Sequence, residues 1–378
     1  MVAPSGFRNW LAFQAGEPRL RAFEFALYTD ARVTSSVPNL GPYALINTIG
    51  MRAEMREGLA SFALALRVGL HVQETPNLIG VEPRTRPGSY HGGWTHDEIA
   101  SLLSLALGIR CRCGGMTRLF VSEDDAAGSP LEAEHHPPHL SPPPPGQRSI
   151  LEGIAREVHL PDAEELLRSY PTVPRRAAID LVRAARLYQS AVWLADADPT
   201  LAWLQLVGAL ETAAAGWSGV SRLTPPERLR LAWPELAAEL HRGDAQTASA
   251  VATMLAPQVR SQARVLQFVE HHKPSPPPQR PSMGQLDWSR LTTHVRTVYD
   301  LRSRALHSGL PFPAPMCSPP LTAGDDTPWE APGTVSQGDA VWTEESAPMH
   351  LHVFEYVVRG VLTRWWRTLA TSNSDLQS

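Results

Sequence analysis

The sequence is poor in several things that would have narrowed its role at once. Of 378 residues only Lys273 is lysine and only three are cysteine. Three cysteines cannot make a disulfide framework, and so low a count suits a reducing compartment. Long apolar runs are missing as well. The longest lie near residues 59–66 and 99–109, and both fall short of the roughly 20 residues that a membrane-spanning helix needs. Residues 1–10 have neither an apolar core nor a cleavage site for secretion. The expectation is a soluble, cytoplasmic protein with no membrane partner. A large charge surplus is absent too: 34 basic against 38 acidic groups leave a net charge of −4. That excludes attraction of the whole chain to a polyanion. No phosphate-binding glycine loop stands out, since Gly92-Gly93 is too short a signal. The near-total preference for arginine over lysine reads as a genomic composition bias.

What is present is an ordinary core composition, 43% apolar, and an excess of proline, 35 residues, gathered in runs. The length favours two domains, and the runs mark segments outside the cores. The fold class expected is α+β. Residues 1–121 form a mixed, β-containing domain, 122–148 a proline-rich linker with Pro137-Pro138 and Pro142 to Pro145, and 149–378 an all-α bundle. An acidic, proline-rich insert occupies 311–348. Charge is uneven along the chain: residues 172–310 hold 16 basic and 11 acidic groups, and the insert holds six acidic and no basic ones. The helical half is therefore modestly basic, which is compatible with an anionic partner and equally with an ordinary solvated surface.

Local patterns supply the elements. Arg19 to Tyr28 alternates in part, as a half-buried strand does, and Ser61 to Val72 fits strand or helix, its length and Gly69 favouring a strand. Thr95-His-Asp-Glu98 has the spacing of a capping box, and the leucine-rich stripe behind it predicts a helix that stops at Gly108. Ile109 to Cys113 and Thr117 to Val121 around Gly114-Gly115 predict a hairpin. Cys111 and Cys113 would then point the same way. With His135, His136 and His139 they would offer enough soft ligands for zinc. The usual two-residue gap between the cysteines is missing, however, and the histidines sit among prolines. Buried strand cysteines are the favoured reading, and no metal ligand set and no cofactor are assigned. Beyond Ser149 the period is helical. Helices are predicted at about 149–169, 174–195, from Asp198-Pro199, from a capping box at Thr224-Pro-Pro-Glu227, over 245–272, over 287–307 and over 350–369.

One stretch carries chemistry. Val298-Tyr-Asp-Leu-Arg-Ser-Arg-Ala-Leu-His-Ser-Gly309 reads as the last turns of a helix closed by glycine, and it places Arg302 five residues before His307. A guanidinium grips phosphate with paired hydrogen bonds, and an imidazole moves a proton near neutral pH. An Arg and a His near a helix C-terminus also suit the negative end of the macrodipole. The spacing alone arises about once by chance in a chain this rich in arginine and histidine. Arg86 and His91 repeat it, across Pro87 and Gly88, where no regular helix forms. Positions five apart on a helix differ by about 140°. Arg302 and His307 therefore meet only if the helix ends before His307, or if two copies each give one residue to a shared cleft across a two-fold axis.

The segment from Tyr299 to Gly309 resembles the motif of HEPN domains, in particular the Apea-like HEPN group. Leu187-Tyr-Gln-Ser-Ala191 and Leu206-Val-Gly-Ala-Leu-Glu-Thr-Ala213 resemble two earlier helices of such a bundle. The likeness covers about half the chain, residues 172–310 and 349–370. It implies a homodimeric, metal-independent endoribonuclease with RNA as partner, serving as a defence or toxin effector. Arg302 and His307 would be catalytic, attacking through the substrate's own 2′-hydroxyl. Glu211, Tyr299, Ser303 and Arg304 would support them, with Glu211 orienting Arg302 by an ion pair. Many family members carry a larger polar residue where Ser303 stands. The alternative is a catalytically inactive HEPN-like scaffold that binds RNA or protein. The same likeness extends to an N-terminal region that senses a trigger, by analogy of fold only.

Overall fold

A computed structural model describes residues 2–48, 60–73, 91, 93–122, 125–131, 134–143, 146–151, 154, 156–219, 223–322 and 327–374. Gly92 and Arg86 lie outside these. The fold is α+β: an antiparallel sheet region is followed by a helical region. The chain divides into two compact units, Met1–Gln205 with Thr363–Ser378, and Leu206–Leu362.

Unit 1 is built on β1 (Arg21–Thr29), expected from its partial alternation, and β5 (Ser61–Leu70), where length and Gly69 favour a strand over a helix. They pair antiparallel with Phe25 opposite Leu66 and Ala26 opposite Ala65. With β3 (Val37–Leu40), β4 (Tyr43–Asn47), β6 (Arg112–Phe120) and β7 (Ser129–Pro130) they form a sheet of order β3-β4-β5-β1-β6-β7. A separate parallel pair joins β2 (Arg32–Thr34) to β8 (Glu157–His159). The expected hairpin at 109–121 is instead the single strand β6. Gly114 and Gly115 do not turn the chain; they make a bulge where the β1–β6 register slips between Phe25 and Leu27. Gly115 has φ of +96°, and a Cβ there would lie 2.2 Å from the Glu134 carbonyl oxygen, so only glycine fits.

Two helices position what matters in this unit. α1 (Ser5–Gln14) buries Phe7 and Trp10. α2 (Thr95–Leu107) buries Ile99, Leu102, Leu103 and Leu105 and stops at Gly108 in the left-handed conformation. The capping box is not where the spacing placed it. Trp94, not Thr95, precedes the helix, and Asp97 bonds back to the Trp94 amide at 3.1 Å. Glu98 turns inward, 1% exposed, and accepts from the amides of Ser5 and Gly6 at 3.0 and 2.6 Å. A carboxylate at a helix N-terminus satisfies otherwise unpaired donors, so Glu98 caps α1 rather than α2.

The proline-rich tract is not a free linker. Leu140 is 4% exposed and packs with Ala26, Tyr28 and Trp193, and the Trp193 indole donates to the His139 carbonyl at 2.9 Å. The helix expected over 149–169 is reduced to α3 (Glu164–Ser169), preceded by β8 and a 3₁₀ turn at Leu160–Ala163. α4 (Arg175–Leu194), expected in the helical half, packs on α2 and belongs to unit 1. Its end is held by Arg110. That side chain is 3% exposed and donates to Asp30 and Asp196 at 2.6 Å each and to the Val192 carbonyl at 2.7 Å. Trp366, from residues 363–374, sits edge-on to Tyr170 at 6.4 Å.

α5 (Pro199–Gly216) opens at Asp198, which caps the Leu201 amide as expected. It passes into unit 2 at Leu206. The Thr224 box is present, with the Thr224 amide donating to Glu227 at 2.8 Å. It starts α6 (Pro225–Ala232), and α7 (Pro234–His241) follows directly because Pro234 cannot continue α6. The long helix expected over 245–272 is broken around Pro257 into α8 (Ala245–Leu255) and α9 (Arg260–His272). α10 (Leu291–Ser308) carries the motif, and α11 (Leu351–Ser374) follows. The 311–348 segment is not a loose acidic insert. It buries Phe312, Met316 and Ala331 and forms the hairpin β9 (Val335–Gln337) and β10 (Ala340–Trp342). Its Glu330, 3% exposed, holds the Arg280 guanidinium and accepts from the Leu286 amide at 2.7 Å.

Candidate functional site

α10 turns its apolar face inward through Leu291, Val295, Val298 and Leu301. Tyr299 and Arg302, three residues apart and so on one side of the helix, reach a single partner on α5. The Tyr299 hydroxyl donates to Glu211 Oε1 at 2.6 Å, and Arg302 Nη2 donates to Glu211 Oε2 at 2.7 Å. The Arg302 guanidinium also lies 5.6 Å from the centre of the Tyr299 ring. One carboxylate thus divides its two oxygens between a phenol and a guanidinium. Burial, then the Glu211 hydrogen bond, raise the Tyr299 pKa well above its usual value, so the phenol stays a donor. Beside it, burial pushes the Asp300 carboxyl up, opposed by a 2.8 Å hydrogen bond from Gln262.

The Arg302 side chain is 22% exposed and that of Glu211 24%. Arg302 therefore faces solvent from a fixed base. One Nη2 bond to Glu211 leaves further N–H groups of its planar fork to meet a second anion.

Glu211, Tyr299 and Arg302 come together within one chain; His307, Ser303 and Arg304 do not join them. α10 continues through His307 to Ser308 and only then closes at Gly309, whose φ is +66°. Of the two ways in which Arg302 and His307 could meet, an early end to the helix is therefore ruled out. The residues stand about 140° apart around the axis and roughly 7.5 Å apart along it. His307 is exposed, as are Arg304, Leu306 and Leu310, and Ser303 is partly so. His307 thus lies on an open helix end with apolar neighbours.

Two of the groups weighed as zinc ligands are placed otherwise. His135 bonds the Tyr28 hydroxyl at 2.8 Å, and Cys111 is fully buried. Among the described residues, one group of three possible metal ligands does gather: His96, Asp97 and Cys113. Sequence reading missed it because Thr95 to Glu98 looked like a helix cap. The signal that was available is a histidine and an aspartate in the first turn of a helix that packs on a cysteine-bearing strand.

No protein-family model, no curated protein and no solved structure matches the chain. No helix among the described residues is long and apolar enough to cross a membrane.

Proposed function

We propose that the chain is an endoribonuclease of the HEPN type that acts as a homodimer through unit 2. The observation that carries this reading is the anchoring of Arg302 by Glu211 beside Tyr299, with His307 on an open face of the same helix. A guanidinium held by a carboxylate is preorganised, so less rotamer entropy is lost when phosphate arrives. Arg302 stabilises the extra charge that develops as the ribose 2′-hydroxyl attacks the adjacent phosphorus. His307 removes the 2′ proton or returns one to the departing 5′ oxygen. The 5′ O–P bond breaks as the 2′ O–P bond forms, leaving a 2′,3′-cyclic phosphate and a 5′-hydroxyl. Because α10 is continuous past His307, the Arg302 of one copy works with the His307 of another. The bond-making is done by substrate and side chains, with no metal ion required, and DNA, which lacks the 2′-hydroxyl, is inert. Cytoplasmic RNA is the substrate class, and the role is that of a defence or toxin effector.

The test is incubation of labelled RNA and DNA with purified protein in chelator-containing buffer, with product ends analysed. His307→Ala and Arg302→Ala each abolish RNA cleavage while the circular dichroism spectrum is unchanged. If both variants cleave at the parent rate, the assignment is wrong. One observation favours a second reading: among the described residues, no hydrogen bond or ion pair orients the exposed His307 ring. RNA binding without any cleavage would make unit 2 an inactive scaffold of the same shape.

A further inference from the structure

The group formed by His96, Asp97 and Cys113 belongs to unit 1 and plays no part in the chemistry proposed above. We propose that it is a binding site for a thiophilic divalent metal ion of the zinc type, with a fourth coordination position open to solvent.

Three observations carry it. The first is distance. One ligand atom from each residue lies within 4.8 Å of the other two, and His96 Nε2 is 3.7 Å from Asp97 Oδ2. Zinc bonds of about 2.0–2.3 Å in a tetrahedron put ligand pairs roughly 3.3–3.8 Å apart. The His–Asp pair is already at that spacing, and the sulfur closes the set with a shift on the order of 1 Å. The second is positioning from independent elements. His96 and Asp97 are fixed by the first turn of α2, and the His96 ring is stacked on Phe25 of β1 at 4.0 Å. Cys113 is aimed by the bulge in β6: the slip at Gly114-Gly115 displaces the strand next to it, and the Gly115 amide donates to Cys113 Sγ at 3.4 Å. The two glycines thus have a use that a hairpin would not give them. The third is chemistry. One thiolate, one imidazole and one carboxylate form a borderline-soft set, which selects zinc-like ions over magnesium or calcium. The His96 and Asp97 side chains are 17% and 34% exposed, so an ion can enter from solvent and keep a water.

The surroundings set the terms of binding. Without an ion Cys113 is a thiol, its pKa pushed up to about 12, first by burial and further by the Asp97 charge. On binding, the S–H bond breaks as the sulfur–metal bond forms, and the proton leaves to buffer. The start of a helix favours the resulting pair of anions. A competing cation is near. A Cβ at Gly93 would meet Asp97 Oδ2 at 2.5 Å and the Arg186 guanidinium at 2.6 Å. Arg186 of α4 therefore reaches the same end of α2 as the ion would.

Cobalt(II) is the probe, titrated into the reduced, metal-stripped full-length protein, because a cobalt–thiolate bond gives a near-ultraviolet charge-transfer band. The expected result is one equivalent bound, with that band, and its displacement by zinc. Cys113→Ser and His96→Ala each lose the band, whereas Cys317→Ser, in unit 2, keeps it. If Cys113→Ser fails to fold, His96→Ala and the parent spectrum still decide. A parent protein with no charge-transfer band, or a band retained in His96→Ala or lost in Cys317→Ser, overturns the site. RNA cleavage is not the readout, so this result stands or falls apart from the nuclease assignment.

Discussion

Neutralising Glu211 is the perturbation that probes the candidate site most directly. In Glu211→Gln the shape is kept, but the new amide has one acceptor oxygen for two donors, Tyr299 and Arg302, now 2.6 and 2.7 Å from separate oxygens. A hydrogen bond to a charged group contributes roughly 1.5–3 kcal/mol when sheltered, and an exposed ion pair only about 0.2–1 kcal/mol. The Arg302 and Glu211 side chains, about a quarter exposed, fall between these limits. A loss of about 1–2 kcal/mol follows, felt where α10 is held to α5. Amide hydrogen exchange reads it locally: peptides covering 296–308 should exchange about 5–30-fold faster. A double-mutant cycle with Arg302→Gln should return a coupling of about 1 kcal/mol. Tyr299→Phe should give a smaller acceleration, since the ion pair survives. RNA cleavage in Glu211→Gln should fall by about tenfold or more through lost positioning. Exchange in 296–308 changed by less than twofold would mean that the carboxylate does not hold the helix, and the argument for an anchored guanidinium would fail.

Four further outcomes follow from the geometry. Burial lowers the pKa of His350 to about 4 and that of His352 to about 3, so both rings are neutral in the folded chain. The unfolded chain takes up these protons below about pH 6.5, so the stability they confer is complete above that pH. It is lost as pH falls toward 4, by up to about 1.4 kcal/mol per pH unit per ring; urea titrations at stepped pH check this, and His352→Phe should flatten the slope. Arg110→Met leaves Asp30 and Asp196 buried without their cation and should cost about 3–5 kcal/mol by denaturant unfolding. Gly115→Ala, with its left-handed φ and a backbone oxygen at 2.2 Å from the new carbon, should destabilise by at least about 1–3 kcal/mol, seen as a lowered melting temperature. Glu98→Gln weakens the cap on α1, and limited proteolysis should cut near residues 5–14 earlier than in the parent.

What could be read from sequence was what depends on near neighbours. β1 follows from partial alternation, β5 from its length and Gly69, α2 from its leucine stripe, and the Asp198 and Thr224 caps from residues three apart that do bond. Three of the failures share one cause, a partner far along the chain. Glu98 fits a local box but finds two amides 92 and 93 positions away. Gly114-Gly115 fits a turn, yet β1 pairs on both sides of it. Leu140 lies among prolines, but Trp193 and Tyr28 supply a core for it. At the candidate site the order reverses. Arg302 and Tyr299 are a local pair on one helix face, while Glu211 entered only through the resemblance of its segment to an earlier family helix. His96 and Asp97 could not be joined to Cys113 by any spacing rule, because α2 packing on β6 brings them together.

The division of the chain has a consequence for its synthesis. Residues 363–374, with Trp365 and Trp366 wholly enclosed, belong to the same body as β1 to β8, whereas Leu206–Leu362 make up the other. A ribosome therefore releases an entire helical body before it delivers the two indoles that complete the sheet-bearing one. During that interval Tyr170 has Phe7 and Trp10 beside it but not yet Trp366. The body begun first is the one finished last, and a premature stop at any codon between 206 and 364 leaves it with an open seam.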